Sequence, residues 1–331
     1  MVEPLRNAAP RLAAVAAFLF LLACAAGRVT EAESRDELWG FAAPWDARSD
    51  SSLARHASAL EVAVSGWIEL DSATAAPRLA YPDTARLPSS TRRFAIVTSW
   101  HRDRFHPRGI AALASDGIRL AAVASAVGAI VGRHNYQGLV LDLEGHEPSE
   151  RDQLRAVVAA IADSARAHGA EVIAMAIPAV DTAGYPARLL ARHVDYLAPM
   201  LYDLHWSGSS PGPVTSASWA RDALALRVRE IGPERLVVAL PAYGYHWRRG
   251  IPGQTIGFHD ARSLTARAGT TLARDAASGQ LTARFADGEL WVGDAAQFAT
   301  LRDMARSLGV RRVAIWRLGL EDPALWARPP R

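Results

Sequence analysis

The chain has almost no cysteine, with Cys24 as its one thiol among 331 residues. One thiol cannot close an internal disulfide, and it cannot supply the cysteine cluster of a structural zinc site. His146 has no second histidine four residues further on, so the ligand pair of a helical zinc protease is missing as well. We therefore expect neither a metal nor any other cofactor.

A strong excess of charge of one sign is also missing. The formal net charge is +3, and acidic and basic residues are mixed along the whole chain. Since no basic stripe follows the pattern that tracks a phosphate backbone, we expect no nucleic-acid partner. No G-x-S-x-G elbow in a strand–turn–helix context is apparent, so we do not expect the Ser-His-Asp arrangement of serine hydrolases.

Near the N-terminus, Arg6 and Arg11 precede an apolar run, 12–26, of 15 residues. Such a run is short for a membrane span and typical of a secretory signal, so residues 1–26 are predicted to be a signal peptide. Leu21-Leu22-Ala23-Cys24 resembles a bacterial lipobox, which favours lipid attachment at Cys24. Ordinary cleavage after Cys24 is the alternative. Either outcome predicts a secreted, periplasmic or cell-envelope protein, with membrane attachment through the lipid in the first case.

Beyond residue 35, short apolar runs alternate with helical patterns, which is typical of a parallel sheet covered by helices. Half of the residues are hydrophobic, enough for one large core. A (β/α)8 TIM barrel takes about 250 residues, and we place one at 35–326. Its eight predicted strands are 38–43, 62–70, 94–99, 139–144, 171–178, 194–202, 236–241 and 313–316.

The spacing changes between the seventh and eighth strands, where residues 243–312 exceed the usual loop, helix and second loop. Two strand-like runs flank Asp287-Gly288, a favoured hairpin turn, and a helix-like run covers Ala261–Arg267. This pattern predicts a small α+β insertion at about 250–297. It could form one wall of a substrate groove, or it could only cover the rim of the barrel.

Two acidic residues follow the predicted fourth strand. Asp142 and Glu144 are two positions apart, so they share one face of the strand. The carboxyl end of a barrel strand is where such folds place their chemistry, and paired carboxylates commonly cleave glycosidic bonds. An isolated D-x-E can also simply mark the exit from a strand, so other segments have to decide.

Three further segments follow the first one, 137–144, in a fixed order. They are Ala198-Pro199-Met200-Leu201-Tyr202-Asp203, Leu240-Pro241-Ala242-Tyr243-Gly244-Tyr245 and Ala314-Ile315-Trp316-Arg317-Leu318-Gly319. Together, the four segments resemble the fourth-, sixth-, seventh- and eighth-strand motifs of glycoside hydrolase family 18. Within that family they most resemble the spore-germination and peptidoglycan-associated branch and the domains fused to polysaccharide deacetylases. In the fourth-strand motif D-G-x-D-x-D-x-E, Gln137 and Val140 stand where the family has its first two acids.

The resemblance implies hydrolysis of β-linked N-acetylhexosamine glycans, whether chitin-like chains, a biofilm polysaccharide or peptidoglycan. Glu144 would be the general acid/base, and the nucleophile would be the acetamido oxygen of the substrate itself. Asp142 would hold the acetamido N–H, and Tyr202 would donate its hydroxyl to the acetamido oxygen.

The same resemblance places Trp316 beneath the sugar that is cleaved, and Asp203 and Tyr243 beside it. Trp100 and Trp206 lie near predicted strand ends, where an indole ring can stack on a sugar, although a core position is the alternative for any tryptophan.

Val140 is the departure with the largest consequence. Without an acid there, Asp142 loses a like-charged neighbour and one cause of a raised pKa. Retained Glu144 favours an enzyme, whereas the missing acid leaves a non-catalytic glycan-binding protein of the cell envelope as the alternative.

Overall fold

The computed structural model describes residues 36–83 and 85–327. Within them, eight parallel strands close into a barrel, so the predicted (β/α)8 fold is confirmed. The predicted signal segment 1–26 and Cys24 lie outside the described residues. In order around the barrel, the strands are β1 (Glu37–Phe41), β2 (Val62–Leu70), β4 (Arg92–Thr98), β7 (Gly138–Asp142), β8 (Val172–Pro178), β9 (Tyr196–Met200), β10 (Val237–Pro241) and β16 (Arg312–Trp316).

The barrel closes where its last strand, β16, pairs in parallel with its first, β1. Two ion pairs join this seam. The Arg312 guanidinium donates to Glu37 at the amino ends of the two strands, at 3.1 Å. At the carboxyl ends, both terminal nitrogens of Arg317 donate to Asp46 at 3.1 Å.

Helices cover the outside of the barrel. Among the described residues between β2 and β4 there is no helix; β3 (Pro77–Tyr81) instead turns back and pairs antiparallel with β2. In the described part of the chain, no single helix is long and apolar enough to cross a bilayer, and Pro107–Leu113 and Gly117–His134 meet the criterion only as a pair bent by 110°. The helices are α1 (Ala47–His56), α2 (Pro107–Leu113), α3 (Gly117–His134), α4 (Arg151–Ala167), α5 (Ala187–Leu190), α6 (Ala217–Ile231), α7 (Phe258–Arg267) and α8 (Ala295–Ser307).

Strand alternation divides the apolar residues into two cores. Along β7, Leu139 and Leu141 point outward and pack under the helices. Val140 points into the barrel, where it packs with residues such as Trp39 and Phe94. Asp142 continues the inward-facing series at the end of the strand. The alternation therefore delivers this carboxylate to the mouth of the barrel.

The predicted α+β insertion is present between β10 and α8. Its strands are β11 (Gly244–Arg248), β12 (Ile251–Ile256), β13 (Ala273–Arg274), β14 (Leu281–Phe285) and β15 (Gly288–Val292). They form an antiparallel sheet in the order β12-β11-β15-β14-β13, with α7 beside it. The sheet begins at Gly244, almost directly after β10. Phe285 pairs with Gly288, so the hairpin connection is Ala286-Asp287, one residue earlier than the predicted Asp287-Gly288.

Candidate active site

A cavity of about 510 Å³ opens at the carboxyl ends of the barrel strands. Three carboxylates reach it: Asp142, Glu144 and Asp203. Half of the remaining lining residues are aromatic, which suits the apolar faces of sugar rings. The aromatic lining residues are Phe41, Trp45, Trp67, Trp100, Phe105, Tyr202, Trp219 and Trp316.

Asp142 ends β7, and Glu144 follows it on the same side. Burial raises the pKa of Glu144 well above its usual range, and the negative charge of Asp142 and a hydrogen bond between the two carboxyls raise it further. Burial also raises the pKa of Asp142, but hydrogen bonds from Thr98 and Glu144 oppose that rise. The shared hydrogen bond thus favours a protonated Glu144 that donates to an ionised Asp142.

Tyr202 and Asp203 follow β9. Burial raises the pKa of Tyr202 well above its usual range, so its hydroxyl stays protonated and can donate. Asp203 adopts a left-handed backbone with φ of 60°, a conformation that aspartate tolerates better than most residues. Its carboxylate accepts hydrogen bonds from the hydroxyls of Tyr243, at 2.5 Å, and Tyr245, at 3.2 Å.

Trp316 ends β16 and lies almost parallel to the ring of Tyr202, with ring centroids 6.4 Å apart. The rings of Trp316 and Phe41 pack in a T-shaped arrangement, with centroids 5.5 Å apart. Trp100 lies on a short hairpin of β5 (Trp100–His101) and β6 (Arg104–Phe105), where it is 43% exposed and packs edge-on against Phe105. Both indoles line the cavity.

Two residues that were predicted to contact the substrate, Tyr243 and Trp206, do not line the cavity. Tyr243 is buried behind Asp203 and fixes its carboxylate rather than lining the cavity. Trp206 is 52% exposed in the loop after β9, with its ring packed over Gly208 and outside the cavity lining. Proximity to a strand end therefore did not suffice to bring Trp206 into the site.

Trp67 is a lining residue that the sequence pattern did not reveal. Strict alternation from Val62 and Val64 would send Trp67 outward, but the pairing with β4 skips Ser65 as a bulge, and Trp67 turns inward. Gly66 is required at this point, because a Cβ there would lie 2.2 Å from the hydroxyl oxygen of Tyr136. A glycine inside a strand was the available sign of the bulge.

Trp219 reaches the cavity from α6, and Trp45 from the loop after β1. The Trp45 ring packs edge-on against Trp67 with centroids 4.7 Å apart.

The described residues offer no candidate metal site. Residues 36–83 and 85–327 contain no group of three or more His, Cys, Asp or Glu side chains placed to hold an ion.

A comparison with protein families decides the assignment. The model of glycosyl hydrolases family 18 matches residues 91–320, more than half of the chain. The chain belongs to this family. Asp142, Glu144, Tyr202 and Trp316 all lie within the matched residues.

Similar proteins include an uncharacterized glycosylase, YvbX, of Bacillus subtilis, 22% identical over 208 residues that cover 59% of this chain and 60% of that protein. The chain spans about half to three fifths of the length of the curated relatives it matches first. A class V chitinase from Pseudomonas fluorescens shares the fold, with a TM-score of 0.78, 23% identity, and coverage of 88% of this chain and 98% of that one. The spore cortex-lytic enzyme SleL of Bacillus megaterium has a TM-score of 0.75 and 17% identity, with coverage of 88% and 73%.

Proposed function

We propose that this family 18 hydrolase cleaves β-linked N-acetylhexosamine glycans and uses the acetamido group of the substrate as the nucleophile. The observation that carries the proposal is the carboxyl of Glu144, whose pKa is raised by burial and by Asp142, in a cavity walled by aromatic rings. A general acid needs its proton at the pH of the reaction, and this environment retains it.

In the proposed reaction, Glu144 gives its proton to the departing glycosidic oxygen. The acetamido carbonyl oxygen attacks the anomeric carbon as that bond breaks, while Tyr202 donates a hydrogen bond to the same carbonyl oxygen. Asp142 accepts from the acetamido N–H and offsets the positive charge that develops on the ring. Water then attacks the anomeric carbon and returns a proton to Glu144. Two inversions give a β-configured product.

Three substrate classes carry the required acetamido group: chitin-like chains, a biofilm-type polysaccharide and peptidoglycan. The family 18 neighbours in structure include a chitinase and a spore cortex-lytic enzyme, which supports glycans of this chemistry. The aromatic walls support the same class, because indole rings stack on the apolar faces of sugars.

A binding protein of the same glycans is the second candidate, favoured by Val140. This fully buried side chain occupies the position where the family motif has an acid, so the inward face of β7 carries one carboxylate where the motif has two. The retained pair of Asp142 and Glu144 supports hydrolysis over binding alone.

The test is incubation of the purified protein with chitin oligomers, peptidoglycan and a partly deacetylated glucosamine polymer, followed by assay for new reducing ends and NMR of the first product. We expect cleavage on the reducing side of N-acetylated residues and a β-configured product. Binding without new reducing ends would favour the second candidate. Efficient cleavage after a fully deacetylated sugar, or an α-configured first product, would overturn the acetamido mechanism.

We also propose that the protein is exported and held at the cell envelope by a lipid on Cys24. The supporting features are the short apolar run at 12–26 after Arg6 and Arg11, and the position of the thiol near its end.

A further inference from the structure

Thr98 ends β4, directly beside the end of β7, where Thr98 and Asp142 are register partners. Its hydroxyl oxygen lies 2.8 Å from Oδ2 of Asp142. The side chain is almost completely buried, at 1% exposure, so this contact forms away from bulk water. Hydrogen bonds to a charged group in such a place are among the stronger ones in proteins.

The direction of this hydrogen bond follows from a second contact. The backbone N–H of Trp100 donates to the Thr98 hydroxyl oxygen at 3.0 Å. A hydroxyl has one hydrogen to give, and with an incoming donor on its oxygen that hydrogen is directed to Asp142. If Asp142 is ionised, its Oδ2 is free to accept the hydrogen of the Thr98 hydroxyl. If Oδ2 carried a proton, that proton would compete with the hydroxyl hydrogen for the same place.

Val140 explains why this contact matters in this chain. The position two residues before Asp142 carries an aliphatic side chain packed in the barrel core, so it offers Asp142 no hydrogen bond. Thr98 supplies a donor from the neighbouring strand instead, and it does so without adding a second negative charge beside Asp142.

We propose that Thr98 is a positioning residue that replaces the missing acid: its hydroxyl holds Asp142 ionised and oriented as the acceptor for the proton of Glu144. The inference rests on the proposed function, because it assigns Asp142 its role in that reaction. Thr98 also connects the cavity wall to the acid pair. The backbone N–H of Trp100 donates to the Thr98 hydroxyl and orients it, and the Trp100 indole lines the cavity.

The decisive variant is Thr98→Val, which keeps the shape of the side chain and removes the hydroxyl. The titratable groups that face Asp142 are Glu144 on its own strand end, Tyr202 after β9 and Tyr185 after β8, and the substitution leaves all three in place. Loss of a donor to the ionised form raises the pKa of Asp142. Thr98→Val should therefore lower kcat on a chitin oligomer roughly tenfold or more and move the acidic limb of the kcat/KM profile to higher pH.

Two controls separate positioning from packing. Thr98→Ser keeps the hydroxyl, and we expect a pH profile close to that of the unmodified protein. Thr91→Val removes another buried hydroxyl at the opposite end of β4, where it donates to the carbonyl of Ala57 at 2.8 Å, and we expect an unchanged profile. If Thr98→Val does not fold, Thr98→Ala makes the same comparison with less bulk.

A measurement that needs no turnover keeps this inference distinct from the proposed function. In the Glu144→Gln background, ¹³C NMR of the carboxyl carbon reports the titration of Asp142 with and without Thr98→Val. A titration at higher pH in the double variant supports the proposal even if no glycan is cleaved. Identical titrations, or an acidic limb displaced as far by Thr98→Ser as by Thr98→Val, would overturn it.

Discussion

Glu144 is the residue on which the proposed hydrolysis depends, because burial and the charge of Asp142 raise the pKa of its carboxyl well above the usual range. Glu144→Gln keeps the size of the side chain but has no acidic proton to transfer. We expect turnover to fall by roughly 10²–10⁴-fold with little change in glycan affinity, measured by reducing-end assay and by calorimetry.

A matched control is Glu171→Gln, the same change at an exposed position just before β8 and at the opposite end of the barrel. It should leave turnover and affinity unchanged. Full activity in Glu144→Gln would remove Glu144 from the role of acid.

The negative charge of Asp142 leads to a separate prediction. In the proposed reaction Glu144 acts in its protonated form, so activity should fall as the pH rises through its pKa. Burial is the largest cause of that raised pKa, and the charge of Asp142 is the second. Asp142→Asn removes the charge, lowers the pKa of Glu144 and moves the alkaline limb of kcat/KM to lower pH.

The residual activity of Asp142→Asn should also be low, since an amide still accepts and donates hydrogen bonds but cannot balance a positive charge. The stereochemistry of the product should stay the same. An alkaline limb that stays in place, or moves to higher pH, would show that Asp142 does not control the proton of Glu144.

Among the elements, α6 stabilises one wall of the cavity through a buried arginine. The side chain of Arg227 is fully buried and forms an ion pair with Glu230 at 2.8 Å. Its guanidinium also donates to four backbone carbonyls of the segment after β8, those of Pro178, Ala179, Asp181 and Tyr185. Pro178 and Ala179 line the cavity, so this one side chain fixes the shape of the wall.

Arg227→Met should lower the free energy of unfolding by about 3–5 kcal/mol, because it leaves Glu230 and four carbonyls without their donor. Urea unfolding measures the change. Arg229→Met, on the exposed face of the same helix, is the control and should shift stability by less than about 0.5 kcal/mol. Equal stability of Arg227→Met and the unmodified protein would contradict this account.

The elements differ in how far the sequence predicted them. The barrel strands are apolar runs with clear boundaries, so all eight were predictable. The inward turn of Trp67 was not, because a bulge depends on the pairing of β2 with β4 rather than on the residues around Ser65 alone. The antiparallel β3, in place of a second helix, likewise depends on contacts made at a distance.

The residues of the candidate site also differ in whether the sequence predicted them. Asp142, Glu144, Tyr202, Asp203 and Trp316 were found because each lies in a short motif at a strand end. Thr98 and Arg227 were not, since the hydrogen bonds of Thr98 to Asp142 and of Arg227 to the carbonyls at and after the end of β8 span 42 to 49 positions of the chain. Trp219 was not found either, because it lies on a helix rather than at a strand end.

At the scale of the whole molecule, the proposed anchor determines where the barrel works. Cys24→Ser should release the protein from the membrane fraction if the thiol is lipidated, because the remaining segment carries no acyl chain. Ala26→Ser tests a nearby position without removing the thiol and should leave the distribution unchanged. A mature N-terminus that begins after Cys24 would rule out the lipid.

The seam between β1 and β16 also has a consequence for biosynthesis. Its two halves, joined by Glu37 and Arg312, are separated by 275 positions in the chain. Until the ribosome has made β16, one edge of β1 and one edge of β10 have no partner strand. These open edges can pair with other chains. Closure therefore comes only after β16 has been synthesised. A fragment that stops before β16 keeps both edges open permanently.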